Sequence, residues 1–142
     1  MLYNRPVALV ENRKFPRIPH VTSRQILSFD GGNNTKENLV LTQNLSASGI
    51  KFTTNGVLES EQCFLICLND HLMQQIRTLF EEHEDFLRAG DYYLTKVVWV
   101  NEVKKNQGIY EVGASFLRKT ECGPKDVDTL TELMNAQMLK EL

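Results

Sequence analysis

The strongest constraint on the fold is the run Asp30-Gly31-Gly32-Asn33-Asn34, flanked on both sides by residues of alternating polarity. Glycine and asparagine adopt the positive φ that a tight hairpin turn demands. Upstream, Val21, Leu27 and Phe29 share one parity, which predicts a strand over 21–29. Downstream, Leu39, Leu41 and Leu45 predict a second strand over 38–45 with those leucines on one face. A third strand is expected over 50–54, after a reversal in which Gly49 takes a positive φ. Antiparallel pairing therefore organises the first half of the chain.

The second half continues the pattern with helical additions. Cys63–Leu68 is a continuous apolar run suited to a strand buried on both faces. Asn69-Asp70 offers an N-cap, and Leu72, Ile76, Leu79, Phe80, His83 and Leu87 recur at helical spacing before Gly90, which predicts a helix over 70–90. Residues 92–100 and 109–117 read as a hairpin, with Tyr110, Val112, Ala114 and Phe116 on one face. Trp99 lies among valines and is expected to be buried, its indole N–H seeking an acceptor. Gly123-Pro124 precedes a terminal helix over 125–140, with Val127, Leu130, Met134 and Met138 as its apolar stripe.

A chain of 142 residues with 42% apolar and 24% charged side chains is enough for one domain with a packed core. Met1–Val10 contains Asn4, Arg5 and Pro6 where a secretory leader would be apolar, so a cytoplasmic location is expected. Cys63 and Cys67 are separated by roughly 13 Å of strand, too far for a disulfide, and are expected as core residues. No histidine combines with them at a metal-binding spacing, so neither a metal nor a cofactor is expected. The chain contains no GxSxG, HExxH, Walker A or GxGxxG pattern. Glu81-Glu82-His83-Glu84-Asp85 reads as the solvated side of a helix, and no enzyme is expected.

Charge is unevenly placed. Residues 1–29 carry Arg5, Arg13, Lys14, Arg17 and Arg24 against Glu11, a net +4, on a chain that is −2 overall. A basic arm on an acidic body points to a small anionic partner, because binders of long nucleic acids spread basic charge over the whole domain. Within the arm, Pro16 pushes Phe15 towards extended backbone, so Arg13 and Arg17 form a strap and not one face of a helix. Their guanidinium forks suit phosphate oxygens and purine edges. Asn44 and Ser46, two apart on an extended segment, point to the same side and make a compact donor and acceptor pair. Taken separately, the first stretch also reads as a solvated loop and the second as a polar strand end.

In combination they say more. RxxxR as Arg13 and Arg17, followed about thirty residues later by [D/N]xSxxG as Asn44, Ser46 and Gly49, resembles the PilZ domain family of bacterial cyclic di-GMP receptors. Arg17-Ile18-Pro19 and Tyr110–Phe116 are similar to that family's barrel entry and closing strand.

The resemblance implies a mainly β fold. A six-stranded antiparallel β-barrel would span 11–117, after a lead-in over 1–10, with an inserted helix over 70–90 and a C-terminal helix within 118–142. It also implies that cyclic di-GMP binds on the outer surface and that its arrival is relayed to a protein effector. Arg13 and Arg17 would hold the phosphates and guanines, Lys14 would add a phosphate contact, Asn44 and Ser46 would contact guanine and phosphate, and Gly49 would shape the turn. Either helix, 70–90 or 124–141, offers a surface for self-association. The alternative is a PilZ-like adaptor that binds no nucleotide; such members lack one or both motifs, which this chain keeps. Asn12 departs from the family, standing where many receptors have a further arginine.

Overall fold

The computed structural model describes residues 18–29, 34–45, 48–56, 58–68, 85–104 and 108–140. These form seven strands: β1 (Ile18–Phe29), β2 (Thr35–Leu45), β3 (Gly49–Thr54), β4 (Cys63–Cys67), β5 (Arg88–Ala89), β6 (Tyr92–Lys104) and β7 (Ile109–Phe116). A 3-10 turn (Lys119–Glu121) and helix α1 (Pro124–Lys140) follow. The sheet order is β4-β1-β2-β3-β7-β6-β5, and β4 also pairs with β6. That pairing closes six antiparallel strands into a barrel and leaves β5 as one short extra strand beside Tyr92 and Tyr93.

The barrel interior is filled by Ile26, Val40, Leu45, Ile50, Phe52, Phe64, Ile66, Val97, Val112, Ala114 and Phe116. A second cluster lies outside the barrel wall, where Leu27 of β1, Leu65 of β4 and Leu94 of β6 meet Leu130 and Leu133 of α1. The Ile26–Phe29 end of β1 and all of β4 are therefore packed on both faces, which is why Phe64, Leu65 and Ile66 are consecutive buried residues. The expected alternation in β1 puts Leu27 and Phe29 on the helix-covered outside, while Ile26 supplies the interior contact. Cys63 and Cys67 are half-buried; burial pushes the thiol pKa of Cys63, and also that of Cys122, above the ordinary range.

Three expectations need correction. In β2 the interior residues are Asn38, Val40, Thr42 and Leu45, whereas Leu39 and Leu41 are 59% and 43% exposed. A register shift between Thr42 and Asn44 explains this, since one extra residue reverses the parity and brings Leu45 inward without Leu39 and Leu41. Residues 69–84, most of the expected 70–90 helix, lie outside the described residues, but its expected end is not helical. Phe86 bridges Arg118 and Arg88–Ala89 pair with β6. Phe86 joins the barrel core instead, its ring centroid 5.2 Å from that of Phe116, and the Arg118 guanidinium lies over the Phe86 ring at 5.3 Å from its centroid.

The third correction concerns α1. Its buried face is Leu130 and Leu133, supported by Met134 and Ala136, while Val127 and Met138 are exposed. The helix starts as its sequence requires: Pro124 occupies the first turn, and the Gly123 N–H donates to the Asp126 carboxylate at 3.1 Å. Lys140 in its last turn pairs with Glu37 of β2. No described helix is long and apolar enough to cross a membrane. Leu133→Ala should cost about 2–5 kcal/mol by removing fully buried methyl groups, whereas Met138→Ala should cost about 0.5 kcal/mol or less as a surface change. Urea denaturation of the two variants checks this, and equal losses would reverse the assignment of the buried face.

Candidate functional site

Of the residues expected to hold a ligand, Asn44 and Gly49 are described; Arg13, Lys14, Arg17 and Ser46 lie outside the described residues. Asn44 stands on β2 opposite Pro19 of β1 and opposite Lys51 of β3. Lys51 alternates with the interior residues Ile50 and Phe52, so the Asn44–Lys51 pair faces outward. Continuing the same row, Lys51 lies opposite Gly113 of β7, and Gly113 opposite Trp99 of β6. Asn44, Lys51, Gly113 and Trp99 thus cross four neighbouring strands on the outer surface, away from α1. At the usual strand spacing the row is roughly 14 Å long.

Two irregularities aim this row. The shift between Thr42 and Asn44 inserts Gln43, and the shift between Val97 and Trp99 inserts Val98. Thr42 and Val97 both point into the barrel. With unbroken alternation, Asn44 and Trp99, each two residues further on, would point inward as well. The bulges turn both outward, a recognised use of such irregularities. Trp99 is accordingly half-buried on the outside and not the interior aromatic expected from its valine neighbours. Nothing in the local sequence marks the extra residue at Val98, so Trp99 was not legible as a site residue, and Lys51 was missed because its place opposite Asn44 depends on the β2–β3 register.

Both glycines of the region are required by close approach. Gly49 is the first residue of β3, opposite Ser115, and the described glycines at positive φ are Gly90 (63°) and Gly108 (68°). The positive φ expected at Gly49 is therefore replaced by a steric need: a Cβ there would stand 2.2 Å from the Ala114 carbonyl oxygen. At Gly113 a Cβ would meet the Trp99 indole at 2.3 Å, so the missing side chain lets the indole lie across β7.

The electrostatics centre on one pair. Lys51 Nζ is 3.3 Å from Glu111 Oε2, with the side chains 27% and 30% exposed. Glu111 lies opposite Thr53, one outward position further along β7 from Gly113, so this is a diagonal contact. Among the described residues no group of three or more His, Cys, Asp or Glu is placed to hold a metal ion. The row offers an amide, an ammonium and a flat aromatic surface, a set that can bind an anion bearing aromatic rings.

These features define a class: a mostly β chain whose closed six-stranded barrel carries a helix on one flank and an outward polar and aromatic row on the other. Compared with known proteins, the chain matches no protein-family model and no curated protein. Among solved structures it is similar to the Bacillus subtilis inhibitor of motility, MotI/DgrA, at 14% sequence identity and a TM-score of 0.44, over 92% of this chain and 53% of that one. The chain spans about half the length of that structure. The fold assignment stands on the strand pairing itself.

The two glycines should respond differently to alanine. Gly49→Ala forces backbone against backbone and should cost about 1–3 kcal/mol in chemical denaturation. Gly113→Ala meets a surface side chain that can swing away, so it should cost less and shift the emission of Trp99, the single tryptophan, to longer wavelength. Unchanged emission in Gly113→Ala would show that the indole does not depend on that glycine.

Proposed function

We propose that this chain is a PilZ-type receptor for cyclic di-GMP, binding it on the outer surface of the barrel and relaying its arrival to a protein partner. One observation supports the reading above the others. Ile18 pairs with Leu45, and Pro19 with Asn44, at the start of the β1–β2 ladder. Arg17 is the chain neighbour of Ile18, and Ser46 is the chain neighbour of Leu45. The two motifs, distant in sequence, thus adjoin one rung by covalent connection.

The chemistry of that region is compatible with the ligand. Cyclic di-GMP carries two negative charges and two large aromatic bases. In this reading Arg13 and Arg17, with Lys14, supply the charge and the planar donor forks, and guanidinium serves both phosphate and base. Asn44 and Ser46 supply the short polar contacts. Gly49 keeps β3 tight against β7 so that this end of the barrel holds its shape. Trp99, outward on the same row, offers a flat surface for a base or for an arginine already stacked on one.

Calorimetric titration with cyclic di-GMP tests the proposal. Binding by the parent chain is expected, and Arg17→Ala should weaken it by about ten- to a hundredfold through loss of a charge-assisted contact. No binding at high micromolar nucleotide would overturn the receptor reading in favour of the adaptor. Parent-like affinity in Arg17→Ala would remove Arg17 from the site.

A further inference from the structure

We propose that Lys51 is an additional phosphate-binding residue of this surface and that Glu111 competes with the ligand for it. The inference rests on the cyclic di-GMP reading and extends it to residues outside both motifs. Lys51 lies directly across the ladder from Asn44, where opposing Cβ atoms are about 4.5–5.5 Å apart. A phosphate oxygen beside the Asn44 amide would therefore be within reach of the lysine ammonium. The opposite neighbour of Lys51 is Gly113, which has no side chain, and the space above it is taken by the Trp99 indole.

Glu111 is the partner that Lys51 already has, at 3.3 Å on the diagonal. Its carboxylate acts on an incoming phosphate in two ways: it holds the ammonium towards β7, and it repels a second anion. Transfer of Lys51 from carboxylate to phosphodiester keeps the lysine charge paired throughout. The pair thus sets the affinity of the site, and its two members act on the ligand with opposite sign. A merely structural ion pair would not behave so, because breaking it from either side would have the same effect.

The test is a set of titrations with cyclic di-GMP on the full chain, with thermal melts of each variant. Lys51→Met, which keeps the aliphatic stem, should weaken binding about tenfold. Lys51→Arg, which keeps the charge, should stay within about threefold of the parent and guards against a folding defect in the methionine variant. Glu111→Gln should tighten binding about two- to fivefold, the range expected from releasing a partly exposed ion pair. If the parent binds but Lys51→Met binds equally well, or if Lys51→Met and Glu111→Gln weaken binding alike, the inference falls and the receptor reading stands. If the parent does not bind, both fall.

Discussion

The pairing of β4 with β6 is the constraint on which the structure depends. Five register pairs, from Cys63 opposite Lys96 to Cys67 opposite Tyr92, join the two ends of what would otherwise be an open sheet. Closure satisfies the backbone groups of both edges and gives the barrel a finite interior. That interior is filled by Phe52, Phe64, Phe116 and the aliphatic residues around them, with the Phe52 and Phe64 rings edge to face at 5.7 Å. A filled barrel has no room for a ligand at its centre. Polar chemistry on this fold belongs on the outer wall.

The outer wall has two sides. Over β1, β4 and the start of β6 it is apolar and α1 covers it through Leu130 and Leu133. Each such leucine, fully buried, contributes about 1.5–3 kcal/mol, so the helix belongs to the folded unit. Over β2, β3, β7 and the middle of β6 the wall carries Asn44, Lys51 and Trp99. Here the bulges at Gln43 and Val98 give up regular alternation to turn an amide and an indole outward. Gly49 and Gly113 supply the close approaches that this arrangement needs.

Much of the architecture was legible in the sequence, for a physical reason. Turn chemistry at Asp30–Asn34, the apolar run at Cys63–Leu68 and the alternation through Tyr110–Phe116 are strong signals, because hairpins and doubly buried strands restrict residue choice. Gly49 was legible as a needed glycine, although the need is a carbonyl contact and not a turn. Within the sheet, what escaped shares one origin: a bulge adds a residue without demanding any residue type. The parity of the sequence therefore groups Leu39 and Leu41 with Leu45 on one face, and puts Trp99 in the interior, whereas the bulges separate Leu45 from the first two and turn Trp99 outward. On α1 the middle of the expected stripe, Leu130 and Met134, packs on the barrel, but Leu133 joins it while the ends Val127 and Met138 stay exposed, because several apolar series fit a helical period and tertiary packing selects among them. Phe86 to Ala89 continued a helical spacing but joined the barrel, where aromatic contacts with Tyr93 and Phe116 were available.

If the proposal holds, a cyclic dinucleotide sits on the face bearing the row and not on the face bearing the helix. Amide and indole chemical shifts recorded during titration with cyclic di-GMP test it most directly. Progressive shifts are expected for Asn44, Gly49, Lys51 and the Trp99 indole N–H, with Leu130 and Leu133 unmoved. Shifts concentrated on α1 with the Trp99 indole unchanged would contradict it.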